Sequence, residues 1–250
     1  MTQLTLTAAQ GGSLRVEAET ALAPRIVTSE AATRAEPKAV SAAAPARLVI
    51  IGNGMVSHRL CQTLASFNQQ RYAITVFSDE GLPAYDRVHV SDVLAGRPPT
   101  SLMLASPAWY RDHAIDLRLG EPIIGIDLQQ KTILTANGQR ASYDKLVIAS
   151  GSAPLLPAIK IDDWNGVFVL RTLDDVERMQ AVAATAHRAV IIGGGVQGLE
   201  TAAALQRPGL ELTILEAGGH LMNRQLDATA AALLKEQLES RGIRVRLQTR

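Results

Sequence analysis

Twice in this 250-residue chain a short apolar run breaks into a glycine-rich turn, and the turn opens a helical pattern. The fuller instance begins with the apolar run 189–192. It continues through Gly193-Gly194-Gly195-Val196-Gln197-Gly198, a helical stretch at 199–206 and a second apolar run at 211–215, which ends on Glu216. The other begins with 47–51, rich in β-branched residues. Gly52-Asn53-Gly54-Met55-Val56-Ser57 follows, then a helix over 55–67 with Val56, Leu60 and Leu64 on one face, then a strand at 72–77 and Asp79-Glu80. Strand, tight turn, helix and strand make a unit whose two strands lie parallel with the helix crossing between them. Two such units about 140 residues apart predict an α/β protein with two Rossmann-like, doubly wound units.

The glycine spacing carries chemistry. In Gly193-x-Gly195-x-x-Gly198 the first glycine permits the tight turn. The second lets backbone approach a pyrophosphate, and the third lets helix and strand pack closely. The helix start then offers free N–H groups and a positive dipole end to phosphate. A carboxylate at Glu216 can accept both hydroxyls of an adenine ribose and repels a 2′-phosphate, which favours NADH over NADPH. In the first turn Ser57 replaces the third glycine, and Asp79, with Glu80 beside it, is the candidate ribose acid. A purely structural glycine turn is the competing reading for each unit alone. Two dinucleotide sites in one chain are the layout of a flavoprotein that takes hydride from a nicotinamide.

Around these units the chain divides into three. Residues 1–46 hold 13 alanines, three prolines and no aromatic residue, and read as a flexible leader. Residues 47–165 form the first nucleotide domain and 166–250 the second. Between 80 and 115 the pattern reads poorly, and Pro98-Pro99 marks a loop. A short helix is expected at 107–113 and strands at 115–119, 122–127 and 131–135, with Asn137-Gly138 a hairpin turn. An antiparallel ribbon is therefore expected as an insertion in the parallel sheet. A buried parallel strand follows at 145–149, then Ser150-Gly151-Ser152. Thr172 is placed to cap a helix with Asp174 and Asp175 in its first turn. A helix at 226–241, stopped by Gly242, and a strand at 243–247 end the sequence, which reads as a chain cut in mid-domain.

Composition excludes several classes. Apolar residues are 47% and charged residues 20%, a globular profile. The net charge of +1 offers no basic footprint for nucleic acid, and no run is long and apolar enough for a membrane span. Cys61 alone permits no internal disulfide, no C-x-x-C pair and no cysteine-held iron–sulfur cluster. It reads as a packed thiol in a reduced, cytoplasmic setting, with no secretory signal at the N-terminus. The five histidines, His58, His89, His113, His187 and His220, lack metal-ligand spacing, and no G-x-S-x-G occurs.

Four features taken in order resemble the pyridine-nucleotide-disulfide-oxidoreductase superfamily, in the branch without a redox disulfide. They are the first glycine turn; Tyr85-Asp86-Arg87; the run from Tyr143 to Ser152 with Ser150 where threonine is usual; and the second turn with Glu200. Ile51-Gly52-Asn53-Gly54-Met55-Val56, Tyr85-Asp86-Arg87-Val88-His89-Val90-Ser91, Leu221-Met222 and Gln225-Leu226-Asp227 are similar to the large subunit of NAD(P)H-dependent nitrite reductases, over residues 47–250. The resemblance implies that Gly52, Gly54, Asp79, Arg87, Ser150 and Gly151 serve FAD, and that Gly193, Gly195, Gly198, Glu200 and Glu216 serve NADH. It implies hydride transfer from NADH to FAD with no side-chain acid or base. Electrons would pass to a partner domain or protein carrying an iron–sulfur centre, and towards nitrite reduction. Sirohaem and the cluster belong to full-length relatives, not to this chain. A homo-oligomer is compatible with the family. The alternatives are a stand-alone NADH-dependent rubredoxin- or ferredoxin-type reductase and an inactive truncated fragment. Related reductases carry a lysine after the serine matching Ser91; here that position is Asp92, so an ion pair from it to Glu200 is not available.

Overall fold

The computed structural model describes residues 6–7, 13–14, 44–67, 71–154, 156 and 159–249. Most of the expected leader lies outside these residues. Within it, β1 (Leu6–Thr7) and β2 (Ser13–Leu14) pair antiparallel. The chain then forms two units, one from Met1–Pro83 with Ala105–Ala153, the other from Ala84–Leu104 with Pro154–Arg250.

The first unit is built on β3 (Ala46–Ile51), α1 (Met55–Ser66) and β4 (Tyr72–Phe77). Leu48, Val49 and Ile50 are consecutive and all buried, because β3 lies inside a parallel sheet covered on both faces. On one face Leu48, Ile50, Ile74, Val76 and Ile115 pack with Cys61 of α1 and with Tyr110 of α3 (Pro107–Asp112). On the other, Val49 and Phe77 pack with Ile133 and Tyr143. Each fully buried aliphatic side chain of this kind contributes roughly 1.5–3 kcal/mol.

The sheet order is β5-β4-β3-β9, with β5 at Ile115–Arg118 and β9 at Lys145–Ile148, all parallel. β4 and β5 wind to one side of β3, and β9 pairs on the other, Leu48 facing Lys145 and Ile51 facing Ile148. The winding reverses between β3 and β9, where doubly wound folds bind ligands. Arg47 and Asp144 clamp the start of this pair. The Asp144 carboxylate accepts from the Arg47 backbone N–H at 2.7 Å, from Nε at 3.1 Å and from Nη2 at 2.8 Å.

Three expectations need correction. The antiparallel strands β6 (Ile123–Asp127), β7 (Thr132–Thr135) and β8 (Arg140–Ser142) follow β5 in sequence but form a sheet of their own, not an extension of the parallel one. Ile133 and Tyr143 turn it into a lid on the second face of β3 and β4. β9 is an edge strand rather than a buried one, and its Ile148 is 59% exposed. Helix α1 packs Leu60 and Leu64 against the core of this unit as expected, and only its first turn differs. Ser57, His58 and Cys61 are buried, whereas Val56 is 75% exposed.

In the second unit, α2 (Val90–Leu94) packs on α4 (Leu173–Ala183) through Val90, Val93, Leu94, Leu173 and Val176. This places 84–104 with the second unit, whereas the sequence reading counts it in 47–165. Thr172 caps α4 as its sequence position predicts: its hydroxyl accepts from the Asp175 N–H, and Asp175 accepts from the Thr172 N–H. The parallel sheet β10-β11-β12 (Arg188–Ile192, Glu211–Leu215, Arg244–Arg246) follows. The helices α5 (Val196–Leu205) and α6 (Ala228–Ser240) belong to this second glycine unit. Leu212, Ile214, Ala202, Leu238 and Ile243 form its core. No helix among the described residues is long and apolar enough to cross a membrane.

Candidate functional site

In the first unit the chain leaves β3 at Gly52 with φ +98°, a conformation that side chains resist. A Cβ there would lie 2.4 Å from the Ala149 carbonyl oxygen and 2.8 Å from the Ser150 Cα. The Gly52 N–H donates to the Phe77 carbonyl at 2.8 Å, and the Ala149 N–H donates to Ile51 at 2.7 Å. These contacts bring the Gly52–Gly54 turn and Ser150-Gly151 to the carboxyl edge of one sheet. Asp79, two residues beyond the Phe77 end of β4, is exposed there. Glu80 follows; its N–H donates to Ser78 Oγ and its carbonyl accepts from Gly120.

Arg87 falls elsewhere. It starts a one-turn helix, Arg87–His89, within the second unit, and its guanidinium sits 5.0 Å from the centre of the Tyr85 ring. Asp86 caps that turn at the Val88 N–H and holds His89 Nδ1 at 2.7 Å. The His89 bond keeps the Asp86 carboxyl below its usual range.

The second turn repeats the logic with a tighter fit. Gly193 has φ +108° and donates its N–H to Leu215. A Cβ on Gly198 would lie 2.1 Å from the Gly193 carbonyl oxygen, so the α5 backbone approaches the turn closely. A Cβ on Gly195 would meet nothing within 4 Å. The three glycines thus divide as their spacing predicts: one bends, one leaves backbone open, one packs.

Glu216, at the tip of β11, is braced on both sides. Its Oε2 accepts from the Gly194 N–H at 2.7 Å and its Oε1 from the Gly218 N–H at 2.6 Å. A carboxylate has about four acceptor sites, so about two remain for ribose hydroxyls. Gly194, an unassigned position in the sequence motif, is as constrained as its neighbours. A Cβ there would strike Leu221 at 2.5 Å. Its carbonyl accepts from Met222, which is held at φ +48°.

Glu200 on α5 is held by a serine. Ser91 Oγ donates to Glu200 Oε2 at 2.8 Å, while Asp92 pairs with Arg97 at 2.9 Å. The serine supplies Glu200 with a neutral donor. No group of three His, Cys, Asp or Glu side chains able to hold a metal occurs among the described residues. Cys61 is fully buried and its thiol is pushed up to about 11 by burial, which makes it unreactive.

Both turns fit a dinucleotide pyrophosphate on the structure's own terms. The helices α1 and α5 start at Gly54 and Gly195 with no side-chain cap, which leaves their first N–H groups for an anion. At the first turn Asn53 Nδ2 and Ser57 Oγ are buried without a hydrogen-bond partner among the described residues, polar groups that favour a polar occupant over an apolar one. The network around Asn53 was beyond sequence reasoning, because its partner Tyr110 is 57 residues away.

Comparison with known proteins agrees with this geometry. The model of the pyridine nucleotide-disulphide oxidoreductase family matches residues 22–250. The chain is 43% identical over 199 residues to the nitrite reductase [NAD(P)H] large subunit of Klebsiella oxytoca, covering 79% of this chain and 21% of that protein. It is 32% identical over 199 residues to the biphenyl dioxygenase system ferredoxin–NAD(+) reductase component of Paraburkholderia xenovorans, covering 79% of this chain and 48% of that protein. The crystal structure of a ferredoxin reductase from Rhodopseudomonas palustris superposes with a TM-score of 0.73 at 27% identity, over 82% of this chain and 50% of the other. The chain therefore spans from about a fifth to about half the length of these relatives.

Proposed function

Because this chain belongs to the pyridine nucleotide-disulphide oxidoreductase family, we propose that it is the NADH- and FAD-binding module of an electron-transfer enzyme serving nitrite reduction. The observation that carries the reading is the pair of glycine turns at the carboxyl ends of two parallel sheets, each followed by an acid. Gly52, Gly54, Asp79, Ser150 and Gly151 would hold FAD, with Arg87 on the flavin side. Gly193, Gly195, Gly198 and Glu216 would hold NADH, with Glu200 nearby. FAD, when bound, accepts the hydride of NADH and releases electrons onward.

The chain's own groups bind and orient. Backbone N–H groups at two helix starts take the phosphates. The braced Glu216 accepts ribose hydroxyls and repels a 2′-phosphate, which selects NADH. Holding reactants in place lowers the barrier by several kcal/mol with no side-chain acid or base. The onward acceptor is an iron–sulfur centre on a partner domain or protein, and the setting is cytoplasmic. The nitrite route is favoured by the 43% identity to the Klebsiella oxytoca protein. A ferredoxin-type reductase is the second reading, favoured by the 32% identity to the Paraburkholderia xenovorans component.

The test is direct. The purified chain, incubated with FAD and desalted, is expected to keep flavin absorbance and to reduce ferricyanide with NADH faster than with NADPH. Retention of no flavin, with no NADH-driven reduction, would overturn the proposal.

A further inference from the structure

Beneath the first glycine turn lies a buried polar chain that neither glycine motif requires. Asn53 is 6% exposed, His58 3% and Tyr110 0%. The Tyr110 hydroxyl donates to Asn53 Oδ1 at 2.9 Å and stands 3.4 Å from His58 Nδ1. Tyr110 has one proton to give, and Asn53 takes it. The histidine Nδ1 then supplies its own N–H to the tyrosine oxygen, giving an ordered chain from His58 through Tyr110 to Asn53. Burial also lowers the His58 pKa.

Each member sits on a different element. Asn53 lies between the two glycines of the turn, His58 is on α1 and Tyr110 is on α3. Helix α3 is itself fixed. Ser106 caps it at the Trp109 N–H, and Pro107 occupies its first turn. Tyr110 packs among Leu48, Ile50, Cys61 and Ile115, and Trp109 meets both Tyr110 and His58 edge-on, at 5.1 Å and 4.9 Å between ring centres. The glycines give the turn freedom it must lose before it can present N–H groups to a phosphate. Gly52 is held by its contact with Ala149 and its bond to Phe77. Asn53 is held by Tyr110.

We propose that Tyr110 is a positioning residue for the FAD site, fixing the Gly52-Asn53-Gly54 backbone through its hydrogen bond to Asn53, with His58 orienting the tyrosine. This rests on the assignment of FAD to the first turn. It adds a residue from outside the strand-turn-helix unit.

The test compares Tyr110→Phe, Asn53→Ala and the double variant with the wild-type chain, each shown folded by circular dichroism. Amide hydrogen exchange is read without ligand, and the flavin dissociation constant by fluorescence titration. In Tyr110→Phe, exchange over residues 52–58 is expected to rise about tenfold while β3 and β4 stay protected, and the flavin dissociation constant to rise about tenfold. Asn53→Ala is expected to do the same, and the double variant no more than either single one. Wild-type exchange and affinity in Tyr110→Phe, faster exchange throughout β3 and β4, or additive effects in the double variant would overturn the proposal. A wild-type chain that binds no flavin would overturn the FAD assignment instead. The exchange data would then decide the Tyr110–Asn53 brace alone.

Discussion

Glu216 accepts the backbone N–H of Gly194 at 2.7 Å, so the acid assigned to the coenzyme ribose also stiffens the turn assigned to its phosphates. Recognition and rigidity are coupled through one carboxylate, and a substitution there acts on both.

Glu216→Ala is therefore expected to cost more than selectivity. The preference for NADH over NADPH falls by about tenfold or more as the repulsion of a 2′-phosphate goes. Affinity for NADH falls as well, because the Gly194 and Gly218 N–H groups lose their acceptor. Glu216→Gln keeps one acceptor oxygen and is expected to lose selectivity with a smaller fall in affinity. Dissociation constants for both coenzymes check this. An unchanged NADH-to-NADPH ratio in Glu216→Ala would remove the role assigned to the residue.

The glycines of the second turn separate folding from binding. Gly198→Ala drives a Cβ to 2.1 Å from the Gly193 oxygen and is expected to destabilise the chain by more than about 2 kcal/mol. Gly195→Ala meets no protein atom within 4 Å. Its stability is expected to stay within about 1 kcal/mol of wild type, while NADH binding is lost to the methyl group. Urea denaturation and NADH titration of the two variants read the two outcomes independently.

His58 gives the fold a pH dependence with a defined sign. Its pKa is lowered in the folded chain by burial, so the unfolded chain binds more protons below about pH 6.5. The stability it contributes is present above that pH and is lost as pH falls towards the folded value. The urea midpoint is expected to drop between pH 8 and pH 5, and His58→Gln to flatten that drop. An identical slope in the variant would show that other groups carry it.

Asp144 acts lower on the scale. Its hydrogen bonds from Arg47 hold its carboxyl well below the usual range, so its contribution is present above about pH 4 and is lost as pH falls further. Both side chains are solvent-exposed, and salt weakens such pairs. Asp144→Asn is expected to leave stability at pH 7 in high salt almost unchanged and to remove part of the acid-induced loss between pH 4 and pH 2.

Much of this was legible in local sequence. Each glycine unit, the Thr172 cap and the Asn137-Gly138 hairpin follow from spacing and backbone preference, and the structure forms all of them. Contacts between distant residues left no local trace. Ser91 meets Glu200 across 109 positions, and Tyr110 meets Asn53 across 57. Helix α2 was missed because five residues are too few to show a period. Val56 misled because the apolar face of α1 was read from hydrophobicity. The buried side of its first turn is instead made of Ser57 and His58, under the glycine turn.

The pairing of β3 with β9 joins residues 97 apart, from Arg47 to Asp144. During synthesis β3 emerges early, already apolar on both faces, and its far-side neighbour is not yet made. For some seconds, at a ribosomal pace of roughly 5–20 residues per second, that edge of the nascent sheet stands open. The clamp at Arg47 and Asp144 marks where the strand that finally covers that edge begins.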